Sequence, residues 1–271
     1  MTAGLGLALA FASALAVNWA YTAEHDAAAG LPRLTPRRPL RSATLLLRDR
    51  AWRKGFAIES AGWLLFVAAL RLAPLALVQA VGAGGIGVLA LLTAHGSPRR
   101  LARSDQVAVA AAVVGLVCLS LSLIGSESSG GSPRPVAAVV WLAACAGGAL
   151  TLVVARLPFA RAASLGLAAG LLFAGGDISV KLVVHGGVWL VAGISLVLFY
   201  ALGTMRLQAA FQRGDALTAA GLATLATNAV PIAAGFVLFG ESLPGGLRAV
   251  LQVAGFLAVV SSAVALSDPH D

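Results

Sequence analysis

The sequence predicts an all-α, polytopic membrane protein of about nine transmembrane helices in two inverted-topology repeats. Three observations predict it. The 271 residues are 59% hydrophobic and 11% charged, with a mean hydropathy of +0.91, which leaves too little polar surface to coat a water-soluble domain. The apolar residues gather in continuous runs of about 20, the length a helix needs to cross the hydrocarbon core; a β-barrel would show alternating segments of about ten. The basic residues lie almost entirely in short loops between those runs, so the net charge of +8 reads as topology and not as a nucleic-acid face.

The first span is residues 2–21. No basic segment precedes it and a strongly basic one follows, so it reads as a retained helix and not a cleaved signal. Asn18 is its one amide. Residues 22–54 read as a long basic cytoplasmic loop, made irregular by Pro32, Pro36 and Pro39. Within it, Leu45, Leu46, Leu47 and Trp52 stand among arginines, which fits a short surface helix over 42–53 or a solvated basic loop. Further spans are expected at 55–72, 75–94, 105–124, 136–155, 162–184, 187–205, 216–239 and 247–266. Counting lysines and arginines on alternate sides gives fifteen in the loops of one face and three in those of the other. The positive-inside rule then sets the N-terminus outside and the C-terminus in the cytoplasm of a plasma membrane.

The halves resemble each other. Leu70-Arg71-Leu-Ala-Pro-Leu75 and a helix centred on Gly115 match Gln212-Arg213-Gly-Asp-Ala-Leu217 and a helix centred on Gly255 at nearly equal offsets. Matching helices lie five crossings apart, and an odd number inverts the copy. The chain is thus one transmembrane domain, with a first repeat over about 1–124 and a second over about 136–266. In such folds the substrate site lies near the midplane between the halves.

Polar groups inside the apolar runs are the candidate site residues, because each is costly there unless it faces protein or a water-filled cavity. Asp177 and Lys181 share a helix face four residues apart, with the acid on the N-terminal side, the better order for an ion pair. They form a substrate or coupling site, or a structural pair in which Lys181 snorkels outward. Only two of the chain's basic residues are lysines, which favours function for this one. Gly175 and Gly176 bare the backbone just before them. Glu59 lies about a turn inside the second span, as a coupling carboxylate or an interfacial residue, with Asn18 at similar depth as a partner. In Thr227-Asn228-Ala-Val-Pro231 the proline lacks an N–H and frees a carbonyl beside an amide. This marks a helix break or a plain kink. Gln79 is a weaker ligand of the same kind. Gly82-Ala-Gly84-Gly85-Ile-Gly87 matches a dinucleotide fingerprint, but it sits inside an apolar span, where close helix packing explains it better. Cys118 and Cys145 read as apolar core residues, and the four histidines show no ligand spacing, so no metal or cofactor is expected.

The segment Thr227-Asn228-Ala-Val-Pro231, followed by Phe239-Gly240-Glu241-Ser-Leu-Pro244 and Gly255, resembles the second-half signature of the drug/metabolite transporter superfamily, EamA-type. Ala69-Leu-Arg-Leu-Ala-Pro-Leu-Ala-Leu-Val-Gln79 after a basic loop resembles the nine-helix branch that includes NIPA-like proteins. The superfamily pattern is ten helices as two fives; here the helix around Trp141 has no counterpart. His95-Gly96 stands where Gly-Glu is expected, and Glu59 and Asp177 lie outside the signature. The resemblance implies a membrane transporter or exporter of a small metabolite or drug-like solute working by alternating access, with proton coupling as an option; arginine over lysine and heavy alanine, glycine and valine use point to a GC-rich bacterial genome. A Mg²⁺ transporter and a non-transporting accessory membrane protein are the alternatives. An enzyme is not expected, since no nucleophile–base pair stands out. The expected partners are a small solute or ion and the lipid bilayer, with a homodimer as an open assembly state and no nucleic acid.

Overall fold

The computed structural model describes residues 2–34, 39–72, 85, 89, 90, 92, 103–122, 134–155, 161–184, 186–238 and 245–267. Among the described residues every regular element is helical. In chain order these are α1 (Thr2–Ala29), α2 (Pro39–Arg48), α3 (Arg50–Leu72), α4 (Arg103–Ser122), α5 (Pro135–Val154), α6 (Arg161–Val184), a 3₁₀ turn (Gly187–Val191), α7 (Ala192–Phe211), α8 (Ala216–Leu238) and α9 (Leu247–Ser267). Of the span expected at 75–94, residues Gly85, Leu89, Ala90 and Leu92 are described, and all are helical.

Four stretches are long and apolar enough to cross a membrane by length and composition: Leu5–Ala29, Pro135–Val154, Arg161–Val180 and Gly187–Phe211. The polarity of the bundle is that of a helical membrane protein. Large apolar side chains point outward, among them Phe11, Trp19, Trp63, Val139, Ile194, Leu198 and Leu257, while much of the interior is alanine. In lipid no hydrophobic force drives helices together, so small residues that let backbones approach supply the contact.

That packing is visible helix by helix. On α6, Gly166 and Gly170 form a G-x-x-x-G stripe against Ala219 and Ala223 of α8; a Cβ at either glycine would run into the α8 backbone. On α3, Gly55 and Gly62 lie against Ala20, Glu24 and Val17 of α1, and Ser13 Oγ donates to the Gly62 carbonyl at 2.7 Å. Gly115 of α4 meets the Gly255 carbonyl of α9, and Ser262 Oγ of α9 donates to the Ala108 carbonyl at 2.8 Å. Gly85 faces Asn18, which a Cβ there would strike. This glycine of the fingerprint-like motif therefore serves helix packing. Helix α6 is the hub, packed on α5, α7 and α8. Leu89 and Ala90 join the central apolar cluster with residues of α1, α4, α6, α7, α8 and α9.

The expected loop over 22–54 is mostly helix. Helix α1 runs on through Thr22–Ala29, because nothing in that alanine-rich stretch breaks it before Gly30 and Pro32. Gln212 clamps the end of α1: its Nε2 donates to the carbonyls of Ala28 at 2.8 Å and Leu31 at 3.1 Å, while its Oε1 accepts from the Leu34 N–H at 2.9 Å. The expected surface helix over 42–53 is divided at Asp49. Its Oδ1 accepts the Trp52 N–H at 2.7 Å and so caps the start of α3. Trp52 thus belongs to α3 and packs with Leu34 and Leu46. Helix α2 turns Leu46 inward and leaves Leu40, Leu47, Arg41 and Arg48 exposed. Asp215 caps α8 in the same way, accepting from the Thr218 N–H and hydroxyl, both at 2.8 Å.

Candidate functional site

Four helices bring polar residues to two levels of the bundle interior. On α3, Gly55, Glu59 and Gly62 share a face at helical spacing. Because the two glycines press that face onto α1, Glu59 is carried to Glu24. The two carboxyl groups lie within electrostatic reach of each other across the seam, where Gly55 meets the Glu24 side chain. Glu24 is fully buried and also accepts from Nε2 of Gln208, a fully buried amide on α7. The remaining oxygens, Glu24 Oε1 and Gln208 Oε1, have no hydrogen-bond donor among the described residues. A bare carboxylate only accepts hydrogen bonds.

A second polar pair lies about 12 Å further along α7, the rise of the eight residues from Gln208 back to Tyr200. There the Tyr200 hydroxyl donates to Asp177 Oδ1. Gly176 creates the seat for this tyrosine: a Cβ on it would lie 2.8 Å from the ring. Gly175 does the same for Phe199, and Gly203 of α7 for Phe173 of α6, so rings and glycines interlock across the two helices. Phe173 in turn packs beside Tyr200 at 5.9 Å between centroids. Tyr21 of α1 joins the two polar pairs. It lies within electrostatic reach of Glu59, Glu24, Tyr200 and Asp177, and Tyr200 within reach of Asp177 and Glu59. Among the described residues, no lysine or arginine contributes to the surroundings of the three carboxyl groups. Below the Glu24 layer, Phe211 closes the space against Tyr21 at 6.4 Å and His25 at 5.7 Å. His25 Nε2 also meets the Gly214 carbonyl at 3.0 Å, which ties the end of α1 to the α7–α8 turn.

The chain matches no family model, no curated protein and no solved structure. The site therefore stands on its own geometry.

Of the residues expected from sequence, Glu59 stands at the Glu24 level and Asp177 at the Tyr200 level. The side chain of Lys181 and the whole of Gln79 lie outside the described residues; the described partner of Asp177 is Tyr200. Asn18 is buried beside Gly85, and its amide donates to the Ala14 carbonyl at 2.8 Å, not to Glu59. Asn228 likewise bonds back along its own helix, to the Thr224 carbonyl at 2.7 Å. Two expectations need correction. Helix α6 runs unbroken through Gly175 and Gly176, and α8 through Pro231. The glycines remove side chains to seat rings. The proline forfeits one hydrogen bond inside a helix held on its other side by α6, to which Thr227 Oγ1 reaches at 3.4 Å from the Gly170 carbonyl. Within the resemblance segment, residues 239–244 lie outside the described part.

Sequence reading missed Glu24, Gln208, Tyr21 and Tyr200. By hydropathy Glu24 falls in the loop expected over 22–54. The available signal was the alanine-rich, proline-free continuation of α1 to Gly30, which puts Tyr21 and Glu24 on one face, three residues apart.

Outside the spans, the cytoplasmic rim expected from charge bias is strongly basic. Burial, then the neighbouring Arg161 and Arg33, hold the Arg213 guanidinium below its usual pKa. Its Nη1 donates to the Ala209 carbonyl at 2.7 Å.

Proposed function

We propose that the protein is a secondary transporter or exporter of a small metabolite or drug-like solute, working by alternating access and driven by an ion gradient. One observation carries this reading: three carboxyl groups from three different helices lie inside an apolar bundle, Glu24 and Glu59 at one level and Asp177 with Tyr200 at another, without a basic partner among the described residues. Groups of this kind are costly in a membrane and mark pathways when they occur. A purely structural helix contact would be served by the alanine and glycine stripes already present. The solute end is assigned to Asp177 and Tyr200, which combine a carboxylate, a hydroxyl and the aromatic faces of Tyr200 and Phe173. A site of that composition favours a solute with hydrogen-bond donors on an apolar body.

Two further observations support the architecture that such a mechanism needs. Gly115 and Gly255, the matched centres of the two sequence repeats, touch at the α4–α9 crossing. A pseudo-two-fold axis relating the halves would pass there. The excess of basic residues on one face supports an N-out, C-in orientation in the plasma membrane, which puts Glu24 and Gln208 toward the cytoplasm and Asp177 further out.

The test is a thermal-shift screen of the purified protein over a metabolite panel, followed by uptake into proteoliposomes. A solute that binds the native state raises the melting temperature with its concentration. A shift that Asp177→Asn abolishes, with transport of the same solute lost in that variant, supports the reading. Wild-type transport by a well-folded Asp177→Asn protein would overturn the assignment of the solute site.

A further inference from the structure

We propose that Glu24, Glu59 and Gln208 form a binding site for one small monovalent cation, and that this ion is the one coupled to transport. The second clause rests on the transporter reading; the first does not. Three features carry it. Glu24 and Glu59 act on each other across the α1–α3 seam, where Gly55 lies against the Glu24 side chain and Glu59 stands one turn further on, and a single positive charge between them would relieve their repulsion. Glu24 Oε1 is fully enclosed and has no donor among the described residues. Gln208 Oε1 is equally enclosed and unpartnered, and it belongs to the amide whose Nε2 is already bonded to Glu24 Oε2, so it lies at the edge of the carboxyl pair. A cation bound at Glu24 Oε1 would give that oxygen the partner it lacks. A larger ion such as Na⁺ takes Gln208 Oε1 as well.

The charge of the ion follows from its surroundings. The groups that face Glu24 and Glu59 are each other, Gln208, Tyr21 and, at greater range, Tyr200 and Asp177. Mg²⁺ dehydrates reluctantly and keeps several waters in its shell, which a site enclosed around the fully buried Glu24 and Gln208 does not favour. One positive charge is enough to remove the direct repulsion between two carboxylates. A proton and Na⁺ are the same chemistry at this site, a single charge held by carboxylate oxygens, and the experiment separates them.

The site also reports on conformation. Glu24, Glu59 and Gln208 come from α1, α3 and α7, and they meet at the end of the bundle that charge bias assigns to the cytoplasm. An ion shared by all three holds those helices together. Its loss leaves two adjacent buried carboxylates that repel, which favours separation of α1 from α3 along the Gly55–Gly62 seam.

The experiment uses the full chain in lipid nanodiscs without any solute. Melting temperature is followed against Na⁺ at constant ionic strength with a bulky organic cation as replacement, against pH from mildly acidic to mildly alkaline, and against Mg²⁺. Glu24→Gln and Glu59→Gln are measured alongside, because each amide keeps the size of the site and removes one charge. Asp26→Asn is the control, since Asp26 is exposed and adjacent. If the ion is a proton, the native melting temperature falls as pH rises, whereas that of Glu24→Gln stays level. If the ion is Na⁺, the native protein gains stability with each tenfold increase of Na⁺ and both amide variants do not. In either case Asp26→Asn follows the native protein. A native response to Mg²⁺ alone overturns the monovalent assignment. Equal responses in the native protein and both amide variants overturn the site. Should either amide variant fail to fold, the native protein's infrared spectrum decides between a proton and no proton. The carbonyl stretch of a protonated carboxylic acid should be present and should vanish as pH rises or as Na⁺ replaces it; its absence together with a flat Na⁺ titration refutes the proposal. Because no solute enters the experiment, its failure leaves the transporter reading standing, and a failed transport assay leaves the ion site standing.

Discussion

Replacing Tyr200 with phenylalanine separates a structural role for the Asp177 pair from a functional one. The substitution removes one hydroxyl and keeps the ring in the seat that Gly176 provides. Only the bond from Tyr200 to Asp177 is lost. In water a hydrogen bond to a charged group contributes about 1.5–3 kcal/mol. Between membrane helices the measured average is about 0.6 kcal/mol and the largest about 1.7, because the unfolded chain in the membrane also finds partners. The smaller figure governs here, since Tyr200 and Asp177 sit on helices that stay in the bilayer when the bundle opens. Tyr200→Phe should therefore lower stability by about 0.6 kcal/mol in a detergent unfolding titration, less than the cost of one core cavity. Transport should fall much further. Loss of a positioning bond worth about 1.4 kcal/mol at the solute is already a tenfold effect. The assay is solute uptake by proteoliposomes, with unfolding titrations on the same preparations and a double-mutant cycle with Asp177→Asn. The expected result is a transport loss at least tenfold, with a stability loss too small to account for it and no further loss in the double variant. Normal transport in Tyr200→Phe, or a transport loss that merely tracks the folded fraction, would refute the reasoning.

Other consequences follow from the packing. Gly170→Val should weaken the α6–α8 contact by about 1–3 kcal/mol, the usual cost of overpacking, because its Cβ meets the Ala223 backbone; Gly147→Ala, which meets nothing within 4 Å, should be neutral or gain about 0.5–1 kcal/mol of helix propensity. Equal unfolding midpoints for the two would contradict the packing described. Gln212→Ala should strip amide-exchange protection from residues 28–34 while leaving α6 and α8 protected, since Gln212 holds the end of α1 and not the core; a global loss of protection would show that the clamp supports the whole fold. Asp49→Ala should cost about 1 kcal/mol through loss of the α3 cap, read as a lower unfolding midpoint that Asp49→Asn largely restores.

The helical class and the small-residue logic of the interior were legible because both follow from composition alone. Runs of alanine, glycine, valine and leucine near 20 residues long have one stable arrangement in a bilayer. Gly85 shows that reading at work: its motif matched a cofactor fingerprint by letter, and its place in an apolar run identified it as a packing residue. The boundaries of α1 were not legible in the same way. Thr22–Ala29 carries Glu24, His25 and Asp26, and a hydropathy argument ends a span where charges begin. The helix ignores that boundary, since alanine propensity and the Gln212 clamp sustain it, and neither depends on hydropathy. One boundary error hid the central carboxylate of the site. Pro231 and Gly175–Gly176 show the opposite fault, in which residues that can break a helix were given that role. Whether they break it depends on what packs against them, and α6 and α8 each have a continuous partner.

The same small residues explain how the polar cluster can exist at all. Glu59 reaches Glu24 because Gly55 and Gly62 let α3 lie against α1, and Tyr200 reaches Asp177 because Gly176 has no side chain. Larger residues at those positions would hold the helices apart and leave each carboxyl group facing lipid or a void, at a cost that insertion scales put near 2.5–3.5 kcal/mol for an acid at a helix centre. The glycine seams therefore do more than join helices. They set the distance at which two acids must share a charge, and small separations along a seam change whether they can. With the proposed ion in place, a bundle built this way would link ion occupancy to helix spacing through geometry, the coupling that an ion-driven transporter requires.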